Sequence, residues 1–233
     1  MLVRLFEKII QKRNSEFSFH KSVTFLDIYS IVFGKAMSVL RSLKLLFRFK
    51  YLHLIFLGKG VSFIGLRNIS WGKWVQIGDF TILSAYCNSK LEIGNNVTLG
   101  GLSRYIVTSS LKEPGQYIRI GNSVGIGDYA HIGGGGGVEI GDNCIIGSYF
   151  SCHPSNHNFD NIDLLIKDQG LTKKGIKVGS NCWIGAKVTI LDGVEVGKNC
   201  VLAAGSVLTK SFPDDVVIGG IPAKIIRHIK ESD

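Results

Sequence analysis

Proline is scarce, and glycine is nearly missing from the start of the chain: four prolines occur in 233 residues, and of 29 glycines only Gly34 lies before residue 58. So little proline, with no G-X-Y period, excludes a collagen-like molecule. Cysteine is thin as well. Cys87, Cys144, Cys152, Cys182 and Cys200 make an odd count with no CxxC pair, which reads as reduced thiols in a cytosolic protein and not as a disulfide framework. Charged residues are only 19% of the chain against 45% apolar, a balance that buries a core and excludes general disorder. No uncharged run reaches 18 residues, so no spanning helix is expected. The charges scattered through MLVRLFEKIIQKRNSEF leave no apolar core for a signal peptide.

The charge that is present is unevenly placed. Residues 1–60 hold 11 Lys/Arg against 3 Asp/Glu, whereas residues 61–233 hold 16 against 15. The basic character therefore belongs to an N-terminal arm. Within it, residues 24–47 have helical periodicity, with Asp27, Ser30, Gly34, Ser38, Arg41 and Ser42 on one face and Leu26, Phe33, Met37, Leu40 and Leu43 on another. Two readings of this helix stand open. It packs on its own domain or a partner subunit, or it rests on an anionic membrane. The basic residues are not interleaved with aromatics in any nucleic-acid-reading motif, so no nucleic-acid partner is expected.

What the remainder has in abundance is a repeat. Every sixth residue from Val178 is branched aliphatic: Val178, Ile184, Ile190, Val196, Leu202, Leu208. The same step joins Ile120, Ile126 and Ile132, and then Ile140, Ile146 and Cys152, usually with a small residue next, as at Gly121, Gly141, Gly179 and Gly197. A period of six fits neither a helix nor a long alternating strand. It fits a short strand plus a corner, three of which close an 18-residue triangular coil with the aliphatic residue pointing inward. Asn122, Asp142, Asn143, Asn181 and Asn199 near the corners suit left-handed backbone angles. Cys182 and Cys200, one coil apart, and Cys144 in the same slot are expected to stack as a buried column of small hydrophobes.

These residues resemble the hexapeptide-repeat acyltransferases over roughly residues 59–227, most specifically VGSNCWIGAKVTILDGVEVGKNCVLAAGSVLTKSFPDDVVIGGIPAKIIR at 178–227. That stretch is similar to the branch holding galactoside, maltose and xenobiotic acetyltransferases and the O-acetyltransferases of bacterial surface polysaccharides. The resemblance implies an all-β fold, a left-handed parallel β-helix of hexapeptide repeats, here with an N-terminal helical arm and one long inserted loop. The expected divisions are an arm at 1–58, the β-helix at 59–219 with its loop at about 153–175, and a C-terminal tail at 220–233. It also implies acetyl-CoA as acyl donor, a homotrimer with active sites between subunits, and a cytoplasmic enzyme, peripheral at the inner membrane face if the arm binds lipid.

The loop is the break in the repeat. Ile120 to Ile140 is 20 residues, near one coil, but Ile140 to Val178 is 38. An excursion of this size from a regular solenoid points to function, and it holds His153 and His157. Transfer of an acyl group to an alcohol needs a base for the hydroxyl proton, which imidazole supplies near neutral pH, and a donor for the oxyanion. In the resembling enzymes the catalytic histidine follows IGDN at a fixed distance. Counted from Ile140-Gly141-Asp142-Asn143, that distance falls on His157. His153, in Cys152-His153-Pro154, matches a local His-Pro of some sugar acetyltransferases and is the second candidate.

For coenzyme A the resemblance implies Ala186, Ala204, Thr209, Lys210, Lys224 and Arg227 along the groove. Trp183 stands where the family carries an aromatic beside the active site, though core packing fits it equally. The family's acceptor-binding Asn and Asp fall on Gly127 and Gly135, so monosaccharide specificity does not carry over. The run Gly133–Gly137 lacks the Gly-Lys-Ser/Thr and the strand-helix setting of a phosphate loop and reads as an open corner for a large acceptor. The expected activity is O-acetylation of a sugar hydroxyl on a surface polysaccharide or its precursor. A xenobiotic O-acetyltransferase is the nearest alternative. A zinc-dependent β-helix hydrase using His131, His153 and His157 is a further one, poorly spaced; no metal is expected.

Overall fold

The structure, a computed structural model, describes residues 7–8, 11, 16, 18–48, 55–87, 89–108 and 110–229, with the side chains of 46–48 left aside. The expectations for the other residues of the arm, and for 230–233 of the tail, lie outside them. From Ile55 onward the chain winds as the left-handed parallel β-helix that the resemblance implies. Short strands fall in turn on three faces. The first runs from Ile55–Leu57 to Val216–Gly220, the second from Ser62–Ile64 to Val207–Leu208, and the third from Ile69–Trp71 to Glu195–Val196.

The register follows the hexad arithmetic. Ile120 pairs with Ile140, Ile140 with Val178 and Val178 with Val196, so the 38-residue step advances the chain by one coil and the excess bulges out. The inward residues Ile126, Ile132, Ile146, Ile184, Ile190 and Leu202 are buried in one core running the length of the prism. Cys144, Cys182 and Cys200 form the expected buried column. Each thiol donates to a carbonyl of the next coil, Gly179, Gly197 and Pro213 respectively, at 3.3 Å. Hydrogen bonding with the Cys144 thiol first, then with the Cys200 thiol, and then burial hold Cys182 well above the ordinary thiol range.

Two corners carry left-handed residues. Asn143, Asn181 and Asn199 occupy one, as their short polar side chains allow. Asn122 and Asp142 do not share that conformation. Their side chains accept from the backbone N–H of the coil below, Asp142 Oδ1 from Asn122 at 2.6 Å and Asn122 Oδ1 from Asn95 at 2.9 Å. The other corner holds Phe80, Leu102, Tyr129, Tyr149 and Lys187, all at positive φ. Tyr129 and Tyr149 offset the cost of this unusual angle for bulky residues by stacking at 4.7 Å.

Helix α1 (Phe25–Ser42) precedes the prism, opened by a capping box between Thr24 and Asp27. A 3₁₀ segment (Leu43–Arg48) follows, and its Leu45 closes the end of the core. Ile28 and Ser42 of α1 are buried, but most of its apolar residues point away from the prism. At the other end, Val216–Gly220 turns back through Ala223–His228, antiparallel on the first face.

An Ile184→Ala substitution, at a site with no exposed surface, is expected to cost about 2–5 kcal/mol in urea unfolding. Ile162→Ala, in the exposed tip of the inserted loop, is expected to stay within about 0.5 kcal/mol of the parent.

Candidate active site

Both candidate histidines line one cavity of about 460 Å³, at the edge between the second and third faces. His153 ends the strand Ser151–His153, whose partner is Thr189–Leu191. Pro154 then ends the regular pairing, since it has no N–H to give. The chain leaves the coil as a flap that makes its own hairpin: Asn156–His157 pairs antiparallel with Leu171–Thr172, His157 opposite Leu171. Asn158 locks the hairpin. Its N–H donates to the Gly170 carbonyl at 3.1 Å, its amide to the Gln169 carbonyl at 3.0 Å, and it accepts from the Thr172 hydroxyl at 2.7 Å. The amide of Gln169 donates to the Asn161 and Leu164 carbonyls and closes the tip.

The root of the flap rests on Asp192. Its Oδ1 accepts from the N–H groups of Lys174 and Gly175, both at 2.9 Å, while its Oδ2 is buried with no partner among the described residues. A buried carboxylate oxygen left unpaired is costly, so this geometry persists because the returning strand Ile176–Val178 fixes Gly175 in register. An ion pair of 3.2 Å between Lys173 and Glu113 ties the flap to a second loop, residues 107–116.

Sequence reasoning missed that second loop, and with it Lys112 and Glu113, which wall the cavity. The signal was present. Leu99 pairs with Ile126, 27 residues on where an 18-residue coil is the rule, but the hexad is faint there. Reasoning also left His131 as an unlikely zinc ligand. Its ring lies 5.9 Å from that of His153, nearly parallel, on the cavity wall. Burial first, then the charges of His153 and Arg104, hold His131 below the ordinary imidazole range. Among the described residues no group of three His, Cys, Asp or Glu is placed to hold a metal ion.

The glycine run proves more constrained than a plain open corner. A Cβ on Gly134 would stand 2.8 Å from Val107 Cα, one on Gly136 2.3 Å from the Pro154 carbonyl oxygen, and one on Gly137 2.7 Å from the Tyr117 ring. These three let the two loops and a neighbouring ring close against the corner. Gly133 and Gly135 face the cavity.

None of the six residues assigned to coenzyme A, nor Trp183, lines this cavity. Thr209 and Lys210 follow the strand Val207–Leu208, as Leu191 follows Ile190 and His153 follows Cys152. They therefore continue the histidine edge, two coils or about 10 Å along. Ala186 and Ala204 stack on the opposite edge of the second face, just past strands paired Ile184 to Leu202. Lys224 and Arg227 are exposed on the terminal strand of the first face. Trp183, 61% exposed on that first face between Ile145 and Val201, is not a core residue. A larger, shallow hollow of about 1040 Å³ along the third face is spanned by the ladder Glu92–Arg119–Glu139 and the pair Lys177–Glu195, whose charges satisfy one another. It carries none of the candidate groups.

The family profile described as bacterial transferase hexapeptide (six repeats) matches residues 175–210. A protein of Mycobacterium tuberculosis named "Probable acetyltransferase" is 31% identical over 178 residues, 75% of this chain and 50% of that one. The galactoside O-acetyltransferase of Escherichia coli is 38% identical over 100 residues, 41% of this chain and 46% of its own length. The chain thus spans about half the length of these relatives. Among solved structures, a mutant of the N-acyltransferase AntD from Bacillus cereus, in complex with dTDP and coenzyme A, superposes with a TM-score of 0.53 at 21% identity, over 80% of this chain and 89% of that one. That likeness concerns the fold.

Replacing Asp192 by Ala is expected to speed amide exchange at Lys174 and Gly175 about tenfold or more, with Asp192→Asn close to the parent because its remaining oxygen still accepts. Hydrogen-exchange mass spectrometry reads this directly. For His131, the unfolded chain binds a proton below about pH 6.5 that the folded chain resists. Stability is therefore expected to fall as pH drops from about 7 to about 5, and less steeply in His131→Asn, as urea midpoints at the two pH values would report.

Proposed function

We propose, from the premise that this chain belongs to the hexapeptide-repeat acyltransferase family, that it is an acetyl-CoA-dependent O-acetyltransferase with a sugar hydroxyl as acceptor. The observation that carries this is the flap, which brings His157 to the same cavity on the edge of the prism that His153 of the coil lines. His157 is the base. Its imidazole nitrogen removes the acceptor's hydroxyl proton as the oxygen bonds to the thioester carbonyl carbon. The carbon–sulfur bond then breaks, and the proton passes from imidazolium to the departing thiolate. A thiol leaves readily at neutral pH, so no covalent enzyme intermediate is needed. His153, beside it, orients the acceptor.

Of the residues assigned to coenzyme A, Ala186 and Ala204 lie on one edge of the second face and Thr209 and Lys210 on the other, while Lys224 and Arg227 lie on the first face, so a single chain gives them no continuous groove. A homotrimer answers this. The Ala186–Ala204 edge of one subunit would face the histidine edge of the next, with small side chains beside the pantetheine arm and Lys210, Lys224 and Arg227 supplying cations for phosphates. Trp183 would lie near this junction. Within this reading the transferase unit is residues 59–219, with the arm 1–58 and the tail 220–233 at its ends. Gly133 and Gly135, which face the cavity without side chains, leave room there for a large acceptor, a surface polysaccharide or its lipid-linked precursor, worked on at the cytoplasmic side of a membrane.

His157→Ala is expected to lower kcat by about 10²–10⁴-fold with the KM for acetyl-CoA little changed, measured as thiol release in the presence of candidate glycans. His153→Ala is expected to raise the acceptor KM more than it lowers kcat. Full activity in His157→Ala would overturn the assignment. Transfer to antibiotic hydroxyls but to no glycan would replace the acceptor class.

A further inference from the structure

Helix α1 meets the prism along a mixed side, where Ile28 and Ser42 are buried and basic side chains make the polar contacts. The Arg41 guanidinium donates to the Leu57 carbonyl at 3.0 Å, and Lys44, just past the helix, to the Val61 carbonyl at 3.3 Å. Lys35 bonds Gln76 and lies over the Phe56 ring, 4.9 Å from its centroid. The outward side is apolar. Phe25, Tyr29 and Phe33, four residues apart, form a continuous ring ladder at 6.5 and 6.0 Å, and Leu26 and Leu40 flank it, Leu26 being 73% and Phe33 55% exposed. An amphipathic helix normally buries that face in its own domain, and a contiguous patch of this kind marks an interaction surface.

Charge selects the occupant. The helix itself carries Asp27, Lys35 and Arg41, but both flanks are basic: residues 1–24 hold five Lys/Arg and two Glu, and residues 43–60 hold four Lys/Arg and no acid. Basic sequence on both flanks of a helix with an aromatic-rich apolar face matches an anionic lipid surface, with the rings at the headgroup boundary. The described helices include none long and apolar enough to cross a membrane, so the contact is with the surface.

We propose that the Phe25–Leu26–Tyr29–Phe33–Leu40 face of α1 docks the protein on an anionic lipid bilayer. The proposal is independent of the transferase reading, since α1 contributes nothing to the histidine cavity. Full-length protein would be floated with vesicles of equimolar phosphatidylglycerol and phosphatidylcholine, and with phosphatidylcholine alone. Flotation with the anionic vesicles only, weakened by salt, is expected. Leu26→Ser/Phe33→Ser should reduce the bound fraction at least tenfold with unchanged circular dichroism, while Phe33→Leu keeps it. Absence of flotation by the parent, or equal flotation by the double-serine variant, would overturn the proposal. So would a change of oligomeric state in the double variant without any lipid binding by the parent, which would assign the face to a second copy of the chain.

Discussion

Everything in this molecule depends on how closely successive coils approach at the corners. Parallel strands pair at about 4.8 Å, and at each corner the backbone must keep that spacing while it turns. A Cβ on Gly147 would stand 2.6 Å from the Ala186 nitrogen, and one on Gly185 2.6 Å from the Ala204 nitrogen. The small residue after each inward aliphatic is thus a condition of stacking as well as of turning. Where the coils stack, the aliphatic column is buried, and the thiols of Cys144, Cys182 and Cys200 are buried in the same slot.

That rigidity lets an irregular element be held firmly. The flap carries its own hydrogen bonds through Asn158 and Gln169, yet its two ends are fixed by successive strands of one coil, Ser151–His153 on the second face and Ile176–Val178 on the third, and Asp192 grips the returning end. The imidazoles owe their positions to the coil beneath, with His153 still in a ladder and His157 one hairpin beyond. The loop 107–116, leaving the same edge two coils earlier, closes the cavity from the side.

The repeat made most of this legible before any coordinates. Ile140 and Val178 are 38 residues apart and still partners, so the position of the flap followed from counting. Three things did not follow. The nine-residue excess between Leu99 and Ile126 was hidden because the early coils use Trp, Tyr and Leu where later ones use Ile and Val. The mounting of α1 was opaque because periodicity identifies two faces without saying which one meets the domain. The separation of Ala186 and Ala204 from Thr209 across the second face was also hidden, since spacing reports what stacks along the prism and is silent on which edges of different chains come together.

The arm also settles a difficulty inherent to solenoids. Among the described residues no strand lies below the first coil, so its carbonyls would form an open template for another strand. Arg41 and Lys44 occupy the carbonyls of Leu57 and Val61, and Leu45 fills the mouth of the core. At the far end the antiparallel return over Val216–Gly220 interrupts the parallel pattern. Stoppers of this kind at the two ends of the first face oppose end-to-end growth into a fibre.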